Sequence, residues 1–190
     1  ASGMRKVSGA LPLSPSLTDL DLSTNYIGVK GASSLAACLP HCRNLKQLQI
    51  RSCNVGSQGT KALASCLPFC SQLSFLNLSA NTINDEGAVA LARMLPECQA
   101  LTHLELTSNS IGPTGARGFA QVLGGCGRLV HLDLSNNVLG DDGAKALAQI
   151  LPTCKSLTSI PLSSNDITAE GANALNHMLA RYHLWGHLWI

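Results

Sequence analysis

The chain of 190 residues is one domain or a piece of one, and with 45% hydrophobic and 13% charged residues it is globular rather than disordered. Thirty-two leucines against 4% aromatics indicate a core built from one repeated aliphatic shape. A net charge of +2 excludes a strongly basic nucleic-acid binder, and no apolar run reaches the roughly 18 residues that a membrane-spanning helix needs.

Residues 1–16 fall into register only when the pattern that follows is run backwards. Gly3, Val7, Leu11 and Pro12 then take the places of a helix-start glycine, two helix leucines and a stop proline. They are expected to form the helical half of a truncated repeat, which would make the chain a fragment of a longer array; a degenerate N-terminal cap is the alternative. From Leu17 the sequence re-registers every 28 residues, with units beginning at Leu17, Leu45, Leu73, Leu101, Leu129 and Leu157, so that six units fill residues 17–184.

Within each unit the apolar residues at positions 1, 4 and 6, such as Leu129, Leu132 and Leu134, mark a short strand with its apolar side inward. Position 9 holds Asn25, Asn81, Asn109, Asn137 and Asn165, with Cys53 in the second unit. An amide there can donate to and accept from backbone groups left open as the chain turns out of the strand. Gly28, Gly56, Gly112 and Gly140 are expected to serve a tight turn, and Gly31, Gly59, Gly87, Gly115, Gly143 and Gly171 to start the helix. Asp85, Glu86, Asp141, Asp142 and Glu170 lie where they suit the positive end of a helix dipole. Ala144, Leu147, Ala148 and Leu151 show the helical spacing, and Pro40, Pro68, Pro96 and Pro152 end the helices. The sixth unit departs from the pattern at Asn176, Ala180 and Tyr182. Trp185, Leu188 and Ile190 then match the strand of a seventh, terminal repeat (residues 185–190), which is a natural stop or a degraded repeat before another domain.

These residues resemble the leucine-rich repeat family, in its ribonuclease-inhibitor-like subfamily of long repeats with a full helix. Parallel strands stack about 4.8 Å apart whereas packed helices need roughly 8–10 Å, so the stack must bend, on the order of 20° per unit. The expected fold is an α/β leucine-rich repeat solenoid, a curved arc with a concave parallel β-sheet and convex α-helices.

Five cysteines, Cys42, Cys70, Cys98, Cys126 and Cys154, share one repeat position. Neighbouring members belong to layers roughly 8–10 Å apart, too far for the ~4.4–6.8 Å Cα separation of a disulfide. They are expected to be buried free thiols, with Cys38 and Cys66 on the outer helix face. Eight free thiols suit a reducing, cytoplasmic compartment. The pairs Cys38/Cys42 and Cys66/Cys70 resemble zinc ligands superficially, but the layer spacing separates them.

The concave face carries two rows. Position 3 runs Asp19, Gln47, Phe75, His103, His131, Ser159 and His187, and position 5 runs Asp21, Gln49, Asn77, Glu105, Asp133, Pro161 and Trp189. His103 and Glu105 lie beside His131 and Asp133 on the next strand. Extended side chains are expected to point out in parallel instead of converging on an open face, so neither catalysis nor a tight metal site is expected, and no cofactor. Gly112-Pro113-Thr114-Gly115 and Gly124-Gly125-Cys126-Gly127 lack the lysine of a phosphate loop. Residues 1–72 hold seven Lys/Arg against two acids, and residues 73–190 six against nine. Lys46, Arg51 and Lys61 lack the aromatic stacking of a nucleic-acid stripe.

A fixed core with a variable exposed face suits a non-catalytic protein-recognition scaffold. Its partner would be another protein rather than a nucleic acid, a membrane or a small-molecule substrate. The expected contact surface is Lys46, Gln47, Gln49, Arg51, Phe75, Asn77, His103, Glu105, His131 and Asp133, centred on Phe75, with the acids favouring a basic contact. The resemblance is closest to the arrays of NOD-like receptors and other intracellular multidomain proteins, which implies a larger regulator or receptor. A small-GTPase regulator of the Ran GTPase-activating type and a self-associating structural array are the alternatives.

Overall fold

Short apolar-in strands alternating with segments of helical apolar spacing produce a regular strand–helix succession. The computed structural model describes residues 7–182, with side chains through residue 177. Its strands are β1 Asp19–Asp21, β2 Gln47–Gln49, β3 Phe75–Asn77, β4 His103–Glu105 and β5 His131–Asp133. Residues 7–10 are helical, and the helices that follow the strands are α1 Gly28–Cys38, α2 Gly56–Cys66, α3 Asn84–Met94, α4 Pro113–Leu123, α5 Gly140–Ile150 and α6 Ala169–Tyr182. The strands pair in parallel in chain order, and Asp19, Gln47, Phe75, His103 and His131 stand in one row. Ser159 extends that row as an isolated parallel bridge to His131. Pro161 brings no N–H to the ladder, although its carbonyl accepts from the Leu134 amide at 3.0 Å. The strand expected over residues 185–190 lies outside the described residues. No helix among them is long and apolar enough to cross a membrane.

The core lies between sheet and helices. Leu48, Leu76, Leu104 and Leu132 point into it from the strands, each at most 1% exposed. Leu35, Leu63, Leu91, Phe119, Leu147 and Leu175 meet them from the helices, also at most 1% exposed. Burying one such side chain stabilises by about 1.5–3 kcal/mol, and leucine holds each of these positions except that of Phe119 in α4.

From Asn81 to Asn165 the asparagine column forms a buried ladder. Asn109 Oδ1 accepts from the backbone amides of Asn81 (2.8 Å) and Ile83 (3.3 Å), while its Nδ2 donates to the carbonyls of Leu78 and Leu106, both at 3.0 Å. Asn81 and Asn137 repeat this pattern. Each amide therefore closes the turn of the preceding unit as well as its own. At Cys53 only the donor half survives: its thiol donates to the carbonyls of Leu22 and Arg51, and the Ile27 amide donates instead to Asn25 O at 2.9 Å.

The helices begin about one turn earlier than the glycine pattern suggests. Gly28, Gly56 and Gly140 open their helices with φ near +60°, and Asn84 takes the same left-handed conformation at +54°. Gly87 and Gly115 lie inside the first helical turn and serve close packing. A Cβ on Gly115 would stand 2.5 Å from Ile111 Cγ2 and 3.0 Å from Ala88 Cβ of the neighbouring helix. Gly112 also differs from expectation, with φ −102°. Its amide and that of Gly115 donate to Asp85 Oδ1 of the preceding unit at 2.7 and 2.8 Å. Asp141 caps α6 in the same way through Thr168 and Gly171, and the Thr168 hydroxyl and amide hold its carboxyl below the usual range. These acids interact with the dipole of their own helix and cap the next one as well.

Each of Pro40, Pro68, Pro96 and Pro152 sits in a 3-10 turn that follows its helix, and Pro12 sits in the equivalent turn Leu11–Leu13. All eight cysteines are free. Their exposure departs from the expectation in part: Cys98 and Cys126 of the shared column are buried as expected, but Cys42, Cys70 and Cys154 are half-buried, and Cys38 and Cys66 are buried on the inner side of their helices. The helix turns its last residue toward the core before the 3-10 turn carries the chain back outward. Burial pushes the Cys98 thiol up to about 12 and those of Cys42 and Cys126 up to about 11. Where Gly124 replaces the proline, a cavity of about 310 Å³ opens between the return loops of units three and four, lined by Leu95, Cys98, Cys126 and Arg128 among others.

Candidate functional site on the concave face

Alternation along each three-residue strand sends the middle leucine into the core and its two neighbours onto the opposite face. In-register parallel pairing then aligns those neighbours in rows across the sheet. The Phe75 and His103 rings stand 6.3 Å apart and tilted by 35°, while His103 and His131 stack at 5.7 Å. Thr102 Oγ1 lies 2.9 Å from His103 Nδ1, and Ser159 Oγ lies 2.8 Å from His131 Nδ1. The three rings thus form one aromatic row, tethered by hydroxyls at two of its members.

The second row is set by its own backbone. Asp21, Asn77 and Asp133 each accept from the amide two residues on, at 2.9, 2.9 and 2.8 Å. Those bonds hold the side chains in Asx-turn geometry and leave one carboxylate oxygen of Asp133 uncommitted. Glu105 makes no such bond. Its Oε1 reaches diagonally to His131 Nε2 at 3.3 Å, with both side chains 22% exposed. One ligand atom from each of Glu105, His131 and Asp133 lies within 4.8 Å of the others. Burial is the main cause raising the Glu105 carboxyl; Asp133 adds to it and His131 opposes it.

Phe75, His103, Glu105, His131 and Asp133 are therefore brought together as the sequence suggests, with one correction: the side chains of Glu105, His131 and Asp133 converge. The sheet spacing lets a long glutamate lean across to the neighbouring strand, which a purely parallel projection overlooks. Ser159 and Thr102 complete the arrangement; Ser159 belongs to the same row, whereas Thr102 precedes it, and only the observed rotamers reveal their role. Gln47 and Gln49 continue the rows onto β2, with Gln49 the more buried of the two. Lys46 and Arg51 are exposed at the two ends of that strand and form no ion pair among the described residues. Their backbones are committed to neighbouring strands, the Lys46 amide to Thr18 O and the Arg51 carbonyl to Thr24 N.

The convex side is built differently. Lys61–Glu86, Arg117–Asp142 and Lys145–Glu170 bridge successive helices as exposed ion pairs, which contribute little to stability in water.

Among solved structures, the chain is similar to the actin-binding site 2 domain of leiomodin-1, with 19% identity over 74% of this chain and 82% of that one and a TM-score of 0.64. It is also similar to the tropomodulin C-terminal domain of Caenorhabditis elegans, with 17% identity over 82% and 93% and a TM-score of 0.64. An internalin of Listeria monocytogenes is 21% identical over 98% of this chain and 50% of its own, with a TM-score of 0.61. At these identities the likeness concerns the fold. No curated protein matches the sequence. The leucine-rich repeat family matches residues 13–36, 41–64, 69–92, 97–120, 129–148 and 153–175, and the chain belongs to that family.

Proposed function

We propose that the chain is a non-catalytic scaffold that docks another protein on its concave face, with the Phe75–His103–His131 row as the anchor. The observation that carries this reading is the row itself: three rings aligned on a sheet whose opposite side is buried in the core from β2 to β5. Such preorganised rings bind with little loss of side-chain freedom. Glu105 and Asp133 beside the row favour a partner that brings a basic side chain, and salt would weaken that contact. The eight free thiols support a reducing compartment, and the resemblance to NOD-like receptor arrays supports a place in a larger regulatory protein.

The experiment is a pull-down compared across variants. Phe75→Ala should cost about 2 kcal/mol or more of binding, and Glu105→Lys with Asp133→Lys should abolish capture. Arg117→Ala on the convex side should leave capture intact. Loss through Arg117→Ala with the concave variants still active would move the site to the helices. A second reading, an actin-binding surface, is favoured by the likeness to the leiomodin-1 domain. Co-sedimentation with filamentous actin tests it directly.

A further inference from the structure

We propose that Glu105, His131 and Asp133 form a three-ligand site for a divalent transition-metal cation, open toward the concave face. Geometry carries this inference. One ligand atom from each of the three residues lies within 4.8 Å of the others, and His131 Nε2 stands 3.3 Å from Glu105 Oε1. Two ligands each about 2.0–2.2 Å from one zinc ion at a tetrahedral angle stand roughly 3.3–3.6 Å apart, so this edge of the site already has the right length.

The surroundings orient the donors. Ser159 Oγ lies 2.8 Å from His131 Nδ1. When Nδ1–H donates to that hydroxyl, the lone pair of Nε2 faces the glutamate, the arrangement that an outer hydrogen bond imposes on a metal-binding imidazole. The His103 ring, stacked at 5.7 Å, limits movement of His131 on one side. Asp133 has one oxygen tied to the Ser135 amide at 2.8 Å and the other free to ligate. A lone pair and two carboxylates held this close repel one another unless positive charge lies among them. A proton on His131 supplies one such charge, and a divalent cation supplies two. One imidazole with two carboxylates suits zinc or a neighbouring first-row ion, and the remaining coordination positions would hold water. The ion would bind with no partner present, so its test is separate from that of docking.

The test is a titration of the whole 190-residue chain, thiols kept reduced, with Co²⁺ and Zn²⁺ near neutral pH. We expect one Co²⁺ per chain with visible ligand-field bands and no thiolate-to-cobalt charge transfer, displaced by Zn²⁺. His131→Ala and Asp133→Asn should each weaken binding roughly tenfold or more, and Ser159→Ala by about tenfold through loss of the orienting bond. His41→Ala and Cys66→Ser should change nothing. Circular dichroism identifies any variant that fails to fold, and Ser159→Ala, which removes only a hydroxyl, still reports on the site if His131→Ala is lost. Absence of binding, thiolate charge transfer that disappears with Cys66→Ser, or full affinity in folded His131→Ala would overturn the proposal and leave a His131–Glu105 contact only.

Discussion

Two columns of matched residues run along the solenoid, asparagines beneath the concave sheet and thiols beside the return loops, and they do different work. An asparagine joins units: the Asn109 side chain bonds to five backbone groups, three of which belong to the preceding unit. A thiol of the second column stays within its own unit, as when Cys126 donates to Val122 O at 3.3 Å, four residues back. Periodicity in the sequence marks the two columns equally. What separates them is the chemistry of the side chain, because an amide both donates and accepts whereas a thiol is a weak donor and a poor acceptor. Cys53, a thiol standing in the asparagine column, shows the difference at a single site.

Asn109→Ala gives the largest expected effect. The Leu78 and Leu106 carbonyls keep bonds from Asn81 and Asn137, but the Asn81 and Ile83 amides lose their acceptor in a buried setting. Two unpaired donors cost about 3 kcal/mol together, read as a lower urea midpoint. A midpoint within error of the parent would show that water reaches the ladder and would remove the distinction between the columns.

Cys53→Asn should act in the opposite direction. It would restore an acceptor near the Asn25 and Ile27 amides and stabilise by about 1 kcal/mol. A loss of stability instead would show that this rung has closed around sulfur and no longer admits an amide.

Cys126→Ala should cost only about 1 kcal/mol, the loss of a small buried group without any unpaired backbone. A cost matching Asn109→Ala would mean that the thiols also bind units together.

The last effect is absent at neutral pH and appears only under alkaline conditions. The Cys42, Cys98 and Cys126 thiols lie above their ordinary value of 9.0 in the fold, so folded and unfolded chains are equally protonated below that value. As pH rises past 9.0 the unfolded chain releases these protons first, and stability falls toward the folded values of about 11 to 12. Unfolding midpoints measured from neutral to alkaline pH should therefore decline, and the decline should be shallower in a Cys98→Ala, Cys126→Ala double variant. Identical curves for parent and variant would assign the decline to other groups.

The strand faces, the register, the leucine core and the bonding capacity of Asn109 were legible in the sequence, because each follows from a period of two or 28 and the valence of one side chain. The start of the helices was not. Gly28 reads as a turn glycine and Gly31 as the helix start, and only the backbone shows that the left-handed Gly28 already opens the helix and that Gly31 is buried within its first turn. Cys38 was misplaced for a related reason, since assigning its face requires knowing where the helix gives way to the 3-10 turn. On the concave face the composition of the rows could be read directly. The diagonal reach of Glu105 could not, because it depends on the rotamer of a long side chain and on which neighbour Ser159 holds in place.

The carboxylate caps and the asparagines point along the chain in opposite senses. Asp85 precedes the Gly112 amide it caps by 27 residues, whereas the Asn81 amide waits for Asn109, 28 residues later. On a ribosome, then, α4 emerges with its cap already made, while the turn before it stays open until one more unit has been synthesised. Trimming the array from either end would expose different wounds: loss of an upstream unit uncaps a helix, and loss of a downstream unit opens a turn.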